Sequence, residues 1–490
     1  MPAELRSYCL QGLDAVPVSV EVDASAGMPY FSVIGMASMS VKEAADRVRS
    51  AIKHSGFKFP MTRKVVNLAP AEFVKRGSHF DLPIAIGLLV VDGQMKALPN
   101  DVMLIGELGL EGGLREVSGI LPGILFAKEQ GMREVILPAA NLAEASFVDG
   151  VKLIPVKSLM EVFEHFELEA RAPAREMCEK VVQKYAWDFS DITGHESAKR
   201  ALLIAAAGGH HVLLNGPPGT GKSLLARAFP SILPPLSKDE MLDVMRIYSL
   251  SLNKKGLNNC RPFRKVHSSC TSTGLIGGGS KLLPGELSLA HKGVLFMDEF
   301  AEFKRDVLES LRSPLEDGRI NLRRAGVNCE YPCEFQLIAA MNPCPCGHYG
   351  DRQKICVCNA AQIARYQGKL SGPLMDRIDL RIEVPRVDFE ELNGRGGASS
   401  AEMRAVVLGA RERQRARGLS CNNAMSAKQV KAEPMSVASQ DILSNATKNY
   451  ALSGRAVHRL IKVARTIADI DGSNKINEGH LYESLQYRRL

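Results

Sequence analysis

The chain has 490 residues, 45% of them hydrophobic and 24% charged, ordinary globular values that exclude a wholly disordered polymer. Lysine and arginine number 62 against 54 acidic residues, a net charge of +8, and 17 basic against 11 acidic residues lie from Arg386 onward, so the C-terminal region suits a polyanionic partner. The longest apolar run, residues 82–91, falls well short of the roughly 20 residues a spanning helix needs, and the opening Met-Pro-Ala-Glu-Leu-Arg lacks the pattern of a signal peptide, so no membrane segment and a cytoplasmic location are expected.

Residues 1–165 read as alternating strands and helices. Pro17-Val18-Ser19-Val20-Glu21-Val22 alternates as a strand does. Val41, Ala44, Ala45, Val48 and Ala51 form a helical stripe, and Val135-Ile136-Leu137-Pro138 is a short buried strand. Residues 166–187 are expected as a linker around Ala170-Arg171-Ala172-Pro173-Ala174-Arg175. A second domain is expected over 188–392. Thr193-x-x-Glu196 reads as a capping box ahead of a helix at 198–207. The apolar segments 211–215, 293–298 and 335–340 are short strands separated by helices, the pattern of a parallel α/β sheet. Asn393-Gly394-Arg395-Gly396-Gly397-Ala398-Ser399 marks a hinge, and residues 400–490 are expected as a helical domain. There Ser399-x-x-Glu402 precedes Met403, Val406, Val407 and Ala410 on one face, and Ser453 caps a helix striped by Val457, Leu460, Ile461, Ala464 and Ala468.

Gly216-Pro217-Pro218-Gly219-Thr220-Gly221-Lys222-Ser223 fits the phosphate-binding loop G-x-x-x-x-G-K-S. It stands after a strand and before a helix, where backbone N–H groups and the helix dipole favour anions. Lys222 is expected to neutralise the β- and γ-phosphates of ATP and Ser223 to hold Mg²⁺. Asp298 and Glu299 end a strand, the aspartate suited to Mg²⁺ and the glutamate to polarising water. Asn342 comes after the next strand and is a candidate to orient that water. Arg377 is a candidate finger for a neighbouring subunit's phosphate, and Arg455 opens a late helix.

In order along the chain these residues resemble the Walker A, Walker B, sensor 1, arginine finger and sensor 2 of an AAA+ ATPase. The sequence most resembles the magnesium-chelatase-like branch and, within it, the YifB/ComM family. The resemblance rests on Ile204-Ala205-Ala206-Ala207-Gly208-Gly209-His210-His211, Arg261-Pro262-Phe263-Arg264, Pro284-Gly285-Glu286-Leu287-Ser288-Leu289-Ala290-His291 and Met341-Asn342-Pro343-Cys344-Pro345-Cys346-Gly347, and it spans essentially the whole chain. Two departures are Lys265-Val266-His267-Ser268-Ser269, where the family usually has Pro-His-His-Ser, and His195, where glutamine is common. The first domain resembles the proteolytic domain of Lon, a ribosomal-protein-S5-like fold. The place of Lon's serine falls at Phe80 or Asp81 and that of its lysine at Leu121, with Ser78 nearby, so a non-proteolytic scaffold is expected.

The resemblance implies an ATP-driven ring, a hexamer, that acts on DNA as a helicase promoting branch migration during natural transformation. The rival reading is a chelatase-type motor that remodels a protein partner. Residues 319–331 read as a hairpin, and in this branch such a hairpin enters the pore, with Arg323 and Arg324 suited to phosphates. Eleven cysteines in an expected reducing compartment argue against a disulfide scaffold. Cys344-x-Cys346 and Cys356-x-Cys358 are instead a candidate zinc site, with Cys329, Cys333 and His348 as alternative ligands.

Overall fold

The computed structural model describes residues 2–168, 185–250, 260–279, 282–324, 327–351, 353–387 and 397–488. Most of the expected linker, and residues 393–396 of the expected hinge, lie outside them. The chain divides into two units, one of residues 1–181, 241–258 and 321–331, the other of the remainder.

The first unit is built on a seven-stranded mixed sheet. Across it run Tyr30–Ile34, Arg63–Ala69, Asp14–Ser25, Ala3–Gln11, Val102–Leu104, Glu134–Pro138 and Lys152–Val156. The alternation at 17–22 lies inside Asp14–Ser25, where Val18, Val20 and Val22 are buried. The apolar run at 82–91 is the helix Asp81–Val91, buried from Asp81 to Leu89. It carries no polar face because the protein covers every side of it. Gly87 lets it approach the sheet: a Cβ there would lie 2.5 Å from Val22 Cγ2. The stripe at 41–51 is divided between the short helix Met39–Lys42 and Ala44–His54.

The hairpin is present, as Arg319–Arg324 and Val327–Pro332. Ile320 and Leu322 point inward, and Arg319, Arg323 and Arg324 are exposed. Its second strand does not stand free. Cys329 and Tyr331 are buried, and a Cβ added to Gly12, in the turn between the first two strands, would lie 3.0 Å from Cys329 Sγ. Residues 321–331 of the hairpin are thus part of the first unit.

The second unit centres on five parallel strands in the order Phe263–Val266, Val294–Met297, Gln336–Met341, Val212–Asn215, Leu380–Glu383. The three inner strands are short, largely apolar runs because both faces are covered, whereas the edge strands carry Arg264, Lys265 and Arg381. The helix expected at 198–207 is Glu196–Gly208, but Thr193 does not cap it. The N-cap is His195, in a left-handed conformation at φ 59° after Gly194 at φ 70°. These two consecutive positive φ values turn the chain in place of a Thr193 capping box. The C-terminal helices include Ser400–Ala416, Val437–Asn449, Gly454–Ile470 and Glu478–Gln486. Ser399 and Glu402 form the expected capping box, and Ser453 accepts from Ala456 N–H. Met403, Val407 and Ala410 face the core, whereas Val406 is 41% exposed and belongs to the outer edge of that helix.

A buried charge ties the C-terminal helices to the sheet. Asp379 is wholly buried just ahead of Leu380–Glu383. Its carboxylate accepts from His211 N–H at 3.0 Å, pairs with Arg459 Nη1 at 2.6 Å and lies 3.6 Å from His210 Nδ1. Burial alone would raise this carboxyl, but Arg459 and the two histidines outweigh it and hold it well below the usual range. Burial also lowers His211 and His291 to about 4. Both histidines are thus neutral in the folded state at pH values where unfolded histidine, near 6.5, takes up a proton. Their contribution to stability is present above pH 6.5 and is lost as pH falls from 6.5 toward 4. Each should cost about 1.4 kcal/mol per pH unit through that window. Urea melts at pH 7.5, 6.5 and 5.5 should show the loss, and His211→Gln should reduce its slope with pH. A slope unchanged by that substitution would contradict the assignment.

Candidate functional site

The strand order brings the expected nucleotide residues to one edge of the second sheet. The phosphate loop comes directly after Val212–Asn215 and leads into the helix Lys222–Ala228. Gly219 and Gly221 are at φ 79° and 80°, and Gly216 has no room for a side chain, because a Cβ would lie 2.1 Å from Val384 O. Lys222 is buried beneath the loop and donates to Gly216 O at 2.6 Å, Pro217 O at 2.7 Å and Asn342 Oδ1 at 3.3 Å. Burial lowers its ammonium to about 8, against the opposing pull of Asp298. Thr220 is also buried and donates to Pro217 O at 3.0 Å, bracing the loop.

Ser223 Oγ donates to Asp298 Oδ2 at 3.1 Å. A hydroxyl and a carboxylate held together at a strand end form a hard-oxygen donor pair suited to Mg²⁺. Lys265 Nζ lies 3.4 Å from the same Asp298 oxygen, so the residue that departs from the family pattern supplies a cation beside this pair. Glu299 is exposed and holds a left-handed backbone at φ 53°, with its N–H donating to Asp298 Oδ1 at 3.2 Å. Such a conformation in a non-glycine residue is costly and is concentrated at working sites. Asn342 directly follows the strand Gln336–Met341, which lies between those of the phosphate loop and Asp298, and so it reaches Lys222. His195, not assigned a firm place from sequence, lies against the loop: a Cβ on Gly221 would be 3.6 Å from its Nε2.

Arg377 and Arg455 are elsewhere. Leu380 pairs with Val212 and Glu383 with Asn215, so Arg377 precedes the start of a strand whose far end adjoins the phosphate loop. Four residues of strand put about 13 Å between the two edges. Arg377 donates to Pro373 O at 2.7 Å and pairs with Glu316. Arg455 pairs with the other oxygen of Glu316 at 3.3 Å. Glu316 thus brings Arg377 and Arg455, expected separately as finger and sensor 2, onto one carboxylate. Nothing in the sequence pattern singled out Glu316.

The four cysteines converge. Sγ–Sγ distances are 3.4 Å for Cys344–Cys346, 3.7 Å for Cys344–Cys356 and 3.6 Å for Cys346–Cys356, and all four sulfurs, Cys358 included, lie within 4.8 Å of one another. Tetrahedral zinc with bonds of about 2.3 Å spaces its sulfurs by about 3.8 Å, so the donor set fits that ion. Backbone N–H groups, first of His348 and then of Val357, lower the Cys346 thiol to about 6, favouring the thiolate a metal needs. Cys329 and Cys333 are buried away from this cluster, and His348 pairs with Asp351 at 3.1 Å, so none of the three alternatives joins it. The loop rests on the phosphate loop: a Cβ on Gly347 would meet Pro218 Cδ at 2.7 Å.

In the first unit the places of the proteolytic pair hold no nucleophile and base. Asp81 is buried and accepts from Arg47 Nε at 2.8 Å and Nη2 at 3.0 Å, Leu121 is a core residue, and Ser78 donates to Glu107.

A five-stranded parallel sheet with one strand between the phosphate-loop strand and the acidic strand, followed by a C-terminal helical region, is consistent with the AAA+ class of P-loop proteins. Residues 188–392 match the family model described as magnesium chelatase, subunit ChlI; residues 20–141 and 397–488 match models of subunit ChlI and of its C-terminal region. Competence protein ComM of Haemophilus influenzae is 41% identical over 500 residues, covering 100% of this chain and 97% of its own length. Protein YifB of Escherichia coli is 41% identical over 489 residues, covering 98% and 95%. The magnesium-chelatase 67 kDa subunit of Chlorobaculum parvum is 29% identical over 169 residues, covering 32% and 23%. The chain belongs to the YifB/ComM family of magnesium-chelatase-like AAA+ proteins.

Protein purified without chelators should carry about one zinc per chain by elemental analysis if the four cysteines form one tetrahedral site. Cys344→Ser with Cys356→Ser should remove it. Wild-type protein with no stoichiometric metal would mean that the thiols are free.

Proposed function

We propose that the chain is an ATP-driven ring motor acting on DNA, which promotes branch migration when incoming DNA is integrated. The observation that carries the ring is the position of Arg377 and Arg455, at the sheet edge remote from their own phosphate loop. An arginine that cannot reach its own nucleotide serves a neighbour's, as a finger supplied in trans does. A closed ring, proposed as a hexamer, gives every nucleotide such a neighbour.

In this reading Lys222 turns from the carbonyls of Gly216 and Pro217 toward the β- and γ-phosphates, which compensate its charge better than neutral acceptors do. Ser223 and Asp298 hold Mg²⁺. The ion would supply electrostatic neutralisation of the charge that develops on the phosphates. Glu299 takes a proton from the attacking water, and Asn342, freed from Lys222, orients that water. Arg377 and Arg455 of the next subunit stabilise the transferring phosphoryl group.

The choice of DNA is supported by the exposed Arg319, Arg323 and Arg324 on the hairpin, by the basic C-terminal region, and by the name of the Haemophilus relative, a competence protein. Phosphate contacts carry no sequence information, which suits a motor moving along any strand.

Glu299→Gln should still bind ATP but hydrolyse it on the order of 10²-fold more slowly, the loss expected for a general base. Mixing it with Arg377→Ala chains should restore partial activity at interfaces that pair intact elements. No recovery at any ratio, with assembly verified by light scattering, would defeat the trans assignment.

Forked or four-way DNA should stimulate ATP hydrolysis. Changing Arg323 and Arg324 together to Ala should leave basal hydrolysis nearly intact and reduce the salt slope of DNA binding by about one to two units. Strand exchange should fall more than binding. Basal ATPase with no response to any DNA would instead favour a motor that remodels a protein partner, as the chelatase resemblance allows.

A further inference from the structure

Glu316 holds two arginines with one side chain. It ends the chain's approach to the hairpin, in the short helix Pro314–Asp317, which Gly318 closes at φ 65°. One carboxylate oxygen pairs with Arg377 Nη2 and the other with Arg455 Nη2 at 3.3 Å. Glu316 and Arg455 are 45% and 69% exposed at their side chains, so water reaches this pair and an incoming anion can as well. Arg377 Nε is buried without an acceptor among the described residues, so its guanidinium has donor capacity still to satisfy. Two guanidinium groups share one carboxylate charge, and the cluster is left with an excess of one positive charge.

We propose that Glu316 is an internal competitor for the neighbouring subunit's γ-phosphate: it occupies Arg377 and Arg455 when that subunit carries ADP or no nucleotide, and yields them when ATP is bound there. This rests on the trans reading of both arginines. The exchange is a matter of charge and hydration. A half-exposed carboxylate offers one negative charge and is screened by solvent. A terminal phosphoryl group in a subunit interface offers more charge and three oxygens with the fork geometry that arginine prefers. ADP lacks that group, so the arginines remain on Glu316. The device gives each interface a sense of its nucleotide. Glu316 is also three residues ahead of Arg319, where the hairpin begins, and Cys333 N–H bonds to Gly318 O at 2.8 Å at the hairpin's base. Release of Glu316 thus frees a segment continuous with the hairpin.

The test is nucleotide binding to rings that cannot hydrolyse, in the Glu299→Gln background. Adding Glu316→Gln removes the competitor's charge at constant size. ATP should then bind tighter by roughly three- to tenfold, the net worth of one ordinary hydrogen bond in this solvent-screened setting, while ADP affinity moves by less than about twofold. Glu316→Asp, which keeps the charge, should bind ATP as the parent does. The gain should vanish when Arg377 and Arg455 are both alanine. A residue that only braced Arg377 would give the opposite sign, weaker ATP binding on its removal. Unchanged or weakened ATP binding in Glu316→Gln overturns the proposal, and so does a gain that survives loss of both arginines. Failure of the trans reading is distinguishable, because Arg377→Ala then leaves turnover of otherwise intact rings unaltered whatever Glu316 does.

Discussion

Parallel pairing of Val212–Asn215 with Leu380–Glu383 is the constraint on which the rest of the second unit depends. Parallel strands share a direction, so the segment leaving one strand lies far from the segment entering the other. The phosphate loop leaves the first strand; Arg377 sits where the chain enters the second. A strand of four residues is short, yet it is long enough to part a guanidinium from a phosphate by several bond lengths. The proposed ring is a consequence of this register, since a second copy of the chain restores what the first separates.

The remote edge must still be rigid if it is to serve a neighbour. Arg459 donates from one guanidinium to Arg377 O at 2.7 Å and to Asp379 at 2.6 Å. It lies one helical turn beyond Arg455 on Gly454–Ile470, so the helix that presents Arg455 also fixes the backbone of Arg377. Leaving Arg459 or Asp379 unpaired in this buried setting would be costly, which is why the pair works as a structural pin rather than a surface ion pair. The neutral histidines around it result from the same burial. Acid therefore attacks the support of the arginines as well as the stability of the unit.

Much of this was legible in the chain. The phosphate loop, Asp298, Glu299 and Asn342 announce themselves because their spacing is tied to strand ends, and strands of this kind are readable as short apolar runs. The buried helix Asp81–Val91 was visible as a run but not as a helix, since periodicity is lost when every side is covered. Thr193 misled because a capping box is a local pattern, and Gly194 and His195 override it with two left-handed residues. Glu316 was invisible for a different reason. Its partners are 61 and 139 positions away in sequence (377 − 316 and 455 − 316), and a single glutamate in Pro314-Leu315-Glu316-Asp317 carries no spacing signal. Seating of Cys329 on Gly12 is equally long-range.

The cysteine loop shows how such remote parts are brought to bear on one place. Gly347 packs on Pro218 of the phosphate loop, and Asn342, two residues before Cys344, reaches Lys222. Arg386 donates to Asp351 at 3.0 Å, which ties the same loop to the chain just past Val384, the residue that abuts Gly216. The loop is thus held at both sides of the phosphate loop while its cysteines draw its own two ends together. With so few apolar side chains of its own, and with Ile355 and Val357 facing solvent at 92% and 84% exposure, it has little hydrophobic burial to define its shape. Four sulfurs around one ion would supply the missing constraint, and they would do so beside Asn342, the side chain proposed to orient the attacking water.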